Sequence, residues 1–151
     1  MTGDKDELLE GLAALGCGIK QEDGAVFVSL PDEFAEFVLD RQGEWFHLGT
    51  TFLTPEEFAD SEFTGRLDRF LLELQDRSLG CHFSYDRNGF LMVGTELHRQ
   101  QAEAGDVLHA MEQIAYVLEA CLPYCDQVLE TGQIPMDAEM DQAFGTNAKL
   151  H

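Results

Sequence analysis

Positive charge is scarce in this 151-residue sequence. Nine Lys and Arg stand against 29 Asp and Glu, a formal net charge of −20. Sequence-independent nucleic-acid binding depends on basic side chains displacing phosphate counterions, so most of that class is excluded. An anionic membrane surface repels such a chain for the same reason. Long apolar runs are also missing. None approaches the roughly 20 residues that span a bilayer, and the acidic stretch from Met1 to Glu10 has no apolar signal-peptide segment. The expectation is a cytoplasmic protein with no nucleic-acid or membrane partner. Its four cysteines, Cys17, Cys81, Cys121 and Cys125, are then expected as reduced thiols. Motifs of catalysis are absent as well: there is no P-loop, no nucleophile elbow and no His-Glu-x-x-His.

What is present is a globular composition, 44% hydrophobic, at a length that suits one domain. Leu8, Leu9, Leu12 and Leu15 recur at helical spacing behind Asp4 as cap and Glu7 three residues on. Gly16 and Gly18 stop that helix. Cys17 to Gln21 reads as extended, Asp23-Gly24 as a turn, and Ala25 to Leu30 as a strand ended by Pro31. Phe34 to Asp40 and Trp45 to Phe52 follow as strands around a Gln42-Gly43 turn. Thr54-Pro55-Glu56-Glu57 is a helix start with a capping box. Phe63, Leu67, Phe70, Leu71 and Leu74 then form one apolar stripe to about Arg77. Cys81 to Asp86 and Phe90 to Leu97 read as a hairpin around Asn88-Gly89. The longest helix runs from about Ala104 to Glu130, with Pro123 expected to kink or break it. The order α-β-β-β-α-β-β-α predicts an α+β fold, a twisted antiparallel sheet flanked by helices, over residues 1–131. Residues 132–151 read as a polar, mobile tail. Its Met136, Met140 and Phe144, spaced among acids, suggest a cover for an apolar groove.

Each group that resembles a chemical site has a plainer reading. Gly16-Cys17-Gly18 begins like a dinucleotide loop, but the third glycine is missing and a helix stop explains it. Cys121 and Cys125 share a helix face and could offer two thiolates to a soft metal, yet they continue the apolar stripe of Leu118 and Leu122. Asp137, Glu139 and Asp141 open like a calcium loop, but Gln142 stands where the loop requires glycine. His47, His82, His98, His109 and His151 are scattered. No catalytic residue, metal or cofactor is expected.

Helix Leu12-Ala-Ala-Leu15-Gly16 leads into Asp23-Gly24-Ala-Val-Phe-Val-Ser-Leu30. Two further strands end at Leu48-Gly-Thr-Thr-Phe-Leu53. A helix ending Leu71-Leu-Glu-Leu74 precedes the Asp86-Arg-Asn-Gly89 hairpin, and a long helix closes the domain. Over about residues 5 to 130 this resembles the type III secretion chaperone family, the CesT-like or Tir-chaperone group of small acidic proteins. A similar layout occurs in YbjN-like bacterial proteins. The first resemblance implies a cytoplasmic homodimer without enzymatic activity, which wraps an extended N-terminal segment of a secreted effector. It implies client grooves at the first helix and strands, where Leu8, Leu12, Val26, Val28, Phe34 and Val38 are candidates. It places the dimer contact at Phe63, Leu67, Phe70, Leu74, Cys81 and Phe83. The YbjN-like alternative implies a regulatory module for folded partners. Ordinary core is the competing assignment for every one of these apolar residues, because strand register decides which face each one takes.

Overall fold

The computed structural model describes residues 3–31, 35–58, 60–75 and 80–144. The elements in chain order are α1 (Gly3–Ala14), β1 (Gly18–Glu22), β2 (Ala25–Ser29), β3 (Glu36–Gln42), β4 (Trp45–Leu53), α2 (Pro55–Phe58), α3 (Thr64–Leu74), β5 (His82–Tyr85), β6 (Leu91–His98), α4 (Ala104–Thr131) and α5 (Asp137–Phe144). The strands form one antiparallel sheet in the order β1-β2-β3-β4-β6-β5, which leaves β1 and β5 at its edges. The α+β class is therefore as expected. Two compact units emerge from the contacts: residues 1–50 with 94–114, and residues 51–93 with 115–151.

In the first unit, α1 ends where the sequence stops it. The Cys17 amide donates to the Leu12 carbonyl at 3.1 Å and the Gly16 amide to that of Ala13 at 3.0 Å, with Gly16 at φ +94°. This is a Schellman cap, which needs a left-handed residue at that point. The segment 18–22, read only as extended, is a complete edge strand paired with β2 over five residues. Asp23 and Gly24 both have positive φ, 52° and 82°, the backbone of a two-residue hairpin matched to strand twist. The register then sets the faces. Val26, Val28, Phe37, Leu39, Phe46 and Leu48 alternate onto one buried face, and Leu8 and Leu12 of α1 are buried with them. Period-two alternation gives the opposite face to Phe27 and Val38.

In the second unit, Thr54 and Glu57 form the anticipated reciprocal cap. The Thr54 amide donates to Glu57 Oε1 at 3.1 Å, and the Glu57 amide to Thr54 Oγ1 at 3.3 Å. The resulting helix is only four residues long, and α3 starts separately after it. The hairpin around Asn88-Gly89 is present, but it is not a two-residue turn. Asp86 Oδ1 accepts the amides of Asn88 at 2.8 Å and Phe90 at 2.9 Å, so the aspartate organises a wider loop. Helix α4 passes through Pro123 without a break. Proline removes one amide donor there, and the well-buried neighbours Cys121, Cys125 and Val128 hold the helix in place. After Gly132 the chain forms α5, which the polar pattern did not suggest. Met140 on it is buried, while Met136 just before it is 70% exposed.

Candidate partner-binding surfaces

Cross-strand pairing builds the uncovered face of the first unit file by file. Lys20 lies opposite Phe27, Phe27 opposite Val38, and Val38 opposite Gly49. Two residues along, Glu22 lies opposite Ala25, and Asp40 opposite His47. Phe27 and Val38 are half-buried and give the face an apolar floor, ringed by charge. Lys20 stands over the Phe27 ring at 5.4 Å and pairs with Glu22 at 3.2 Å and Glu36 at 3.8 Å. Those carboxylates raise the Lys20 pKa, the Glu22 hydrogen bond most of all. Edge strand β1 is largely exposed.

Of the six residues expected at a client groove, Leu8, Leu12, Val26 and Val28 are inside the protein, each 5% exposed or less. Val38 is on the open face, and Phe34 lies outside the described residues. The physical reason is register: Val26 and Val28 take the inner face, so Phe27 takes the outer one. Phe27 does not stand out in the sequence, because Ala25 to Val28 is an unbroken apolar run that hides the alternation.

The second unit carries a different surface. Leu67, Phe70 and Leu74 of α3 and Cys81 are buried, so the helical stripe packs inward. Phe63 and Phe83 are half-buried. Leu72 leaves that stripe and is 65% exposed; Tyr85 on edge strand β5 is 45% exposed. Between them lies a groove of about 270 Å³, lined by Asp68, Leu71, Leu72, Phe83, Tyr85 and Leu91. The Tyr85 hydroxyl donates to Asp68 Oδ1 at its rim. Burial, then the Asp68 hydrogen bond, raises the Tyr85 pKa.

All four cysteines are free and buried. Burial raises the pKa of Cys81 from 9.0 to about 11, and raises that of Cys17 with help from Glu112. The hydrogen bond with Cys121, followed by burial, raises that of Cys125. Among the described residues no three His, Cys, Asp or Glu are grouped to hold a metal ion. The raised thiols give a signed pH prediction. A folded pKa above the unfolded value stabilises the protein fully below the unfolded pKa, and that stability is lost as pH rises through the folded one. Unfolding free energy should therefore fall from about pH 9 to about pH 11, with Cys81 alone contributing about 2 kcal/mol. Urea midpoints at pH 8 and pH 10.5 test this; Cys81→Ala should shrink the difference, and an unchanged difference would refute the assignment to Cys81.

The chain shares its α+β fold with chains of solved chaperone–effector and type III secretion complexes. It is seen in a chain of the HopA1-SchA chaperone–effector complex, with 13% identity and TM-score 0.56 over 83% of this chain and 98% of that one. It is seen again in the heterodimeric ExoU-SpcU complex from the type III secretion system of Pseudomonas aeruginosa, with 20% identity and TM-score 0.50 over 80% and 96%. An uncharacterized protein from Methanothermobacter thermautotrophicus is also similar, with 12% identity and TM-score 0.58 over 83% and 99%. No protein-family model and no curated protein sequence matches the chain. Among the described residues no helix is long and apolar enough to cross a membrane.

Proposed function

We propose that this chain is a non-enzymatic, cytoplasmic chaperone-like protein that binds an extended segment of a secreted effector and keeps it secretion-competent, acting as a homodimer without a cofactor. The observation that supports this reading is the fold shared with chains of a chaperone–effector complex and of a heterodimeric type III secretion complex. The open face supports it. An extended client adding to the β1 edge gains main-chain hydrogen bonds, and Phe27 and Val38 supply an apolar floor for alternate side chains. Leu8, Leu12, Val26 and Val28 then serve the client site from behind, by holding α1 and the sheet in register. Leu67, Phe70, Leu74 and Cys81 do the same beneath a dimer contact made by Leu72, Phe83 and Tyr85.

A YbjN-like regulatory module that binds folded partners is the second reading. The likeness to the Methanothermobacter protein, described only as uncharacterized, favours keeping it, because a fold can host more than one role. Gentle purification of the tagged protein from its native host separates the two. The first reading expects one dominant secreted protein, bound through an N-terminal segment that resists protease only in the complex. Folded cytoplasmic partners, or none, would overturn it.

A further inference from the structure

The first unit holds a cleft of about 400 Å³ lined by Trp45, Glu96, His98, Asp106, His109 and Gln113, among others. Trp45 is the one tryptophan of the sequence. It remains 45% exposed, an unusual position for the largest apolar side chain. Neighbours fix its ring: His98 meets it edge-on, centroids 5.1 Å apart at 85°. One step along, His47 Nδ1 lies 3.5 Å from Glu96 Oε1. The two contacts share one antiparallel register, since 45 with 98 and 47 with 96 advance in opposite directions. Just past β6, Arg99 pairs with Glu44 at 2.9 Å and its amide donates to the Glu44 carbonyl at 2.8 Å, which ties the ends of β4 and β6 together. From α4, Asp106 lines the cleft and its Oδ2 accepts the Glu103 amide at 3.1 Å, so this carboxylate is held by a first-turn cap.

We infer that this cleft takes a guanidinium or ammonium side chain presented by an extended polypeptide, seated against Trp45 and between the Glu96 and Asp106 carboxylates. Indole is the best aromatic partner for a cation. Two carboxylates at the walls and a chain of net charge −20 favour a positive occupant and oppose a negative one. The chain already makes the same contact with its own residues, where Lys20 sits over Phe27 between Glu22 and Glu36. At Trp45 the cleft brings an aromatic ring and two carboxylates, Glu96 and Asp106, to one lining. This rests on the proposed binding of an extended segment and adds the chemistry of one of its side chains: a basic residue that the client places at the end of β4.

Because Trp45 is the one tryptophan, its fluorescence reports on this cleft alone. The full-length protein is titrated with the peptide acetyl-Gly-Ala-Arg-Ala-Arg-Ala-Gly-amide and with versions carrying Leu or Glu in place of Arg. The arginine peptide should change the Trp45 emission saturably, and the Glu version should not. Glu96→Gln with Asp106→Asn keeps both shapes, and the amide oxygen at 106 still accepts the cap hydrogen bond. That double variant should bind about tenfold more weakly, with an unchanged circular dichroism spectrum. Equal response to the Leu peptide would make the cleft an apolar groove and overturn the assignment. So would an unchanged affinity in the double variant, or spermidine binding as tightly as the arginine peptide. Short peptides need no client. A negative titration beside a captured effector refutes the cleft alone, and a positive one without an effector refutes the chaperone reading alone.

Discussion

Replacing Gly94 with alanine should lower the unfolding free energy by about 3 kcal/mol, and valine should cost more. Gly94 lies within β6. A Cβ built there falls 2.7 Å from the Leu48 carbonyl oxygen and 3.3 Å from the Gly49 Cα. Both obstacles are backbone, so no side-chain rotation relieves the overlap; the strands themselves must separate. Leu48 is 1% exposed in the middle of β4, and moving it disturbs packing at near-crystalline density. Against a total stability of about 5–15 kcal/mol, that loss is large. Gly105→Ala is the control. Nothing lies within 4 Å of a Cβ there, its φ is not in the left-handed range, and it sits in α4. Gly105 is in the first turn, so helix propensity should make that variant more stable by less than the roughly 1 kcal/mol of an interior position. Urea unfolding of both variants tests the sign as well as the size. A Gly94→Ala midpoint equal to wild type would show that the strands part freely at this point.

The glycine illustrates which features a sequence displays. A glycine inside an apolar strand signals a close backbone approach, but which neighbour approaches depends on a pairing across more than forty residues. Local signals translated well. The Asp23-Gly24 turn, the Gly16 stop and the Thr54–Glu57 cap each need only adjacent residues. The face of a strand needs register, and register follows from turns and bulges as much as from pattern. Val26, Phe27 and Val28 are three apolar residues in a row, so the buried pair and the outward one between them look alike in the sequence. Trp45 and His98 lie far apart in the chain, and no periodicity joins them. Residues 133–144 carry no helical stripe strong enough to read, although Met140 of α5 is buried. Leu72 is legible in a negative way: Leu67, Phe70, Leu71 and Leu74 are the buried residues of α3, and Leu72 does not fit among them.

Leu72→Glu should convert the proposed homodimer to a folded monomer. Leu72 is 65% exposed, so the isolated fold has little to lose from the change. Its neighbour is the groove of about 270 Å³ floored by Leu71 and Leu91 and edged by Phe83 and Tyr85. A protruding apolar side chain next to an apolar recess suits a two-fold contact, in which each copy fills the recess of the other. Symmetry doubles the consequence. Burying two leucines is worth about 3 kcal/mol beyond their present burial, and the substituted carboxylates would be desolvated beside Asp68 of the opposite copy. Dimerisation should weaken more than about 100-fold. Sedimentation equilibrium at tens of micromolar reads this directly, with Leu15→Glu as the comparison. Leu15 is 45% exposed in the first unit and is not among the residues that line this groove, and its variant should remain dimeric. A wild-type monomer, or a Leu72→Glu dimer of unchanged strength, would place the self-contact elsewhere. The expected result would give α3 and β5 two roles at once: Leu67, Phe70 and Leu74 hold the unit together from inside, and Leu72 and Tyr85 join it to its twin from outside.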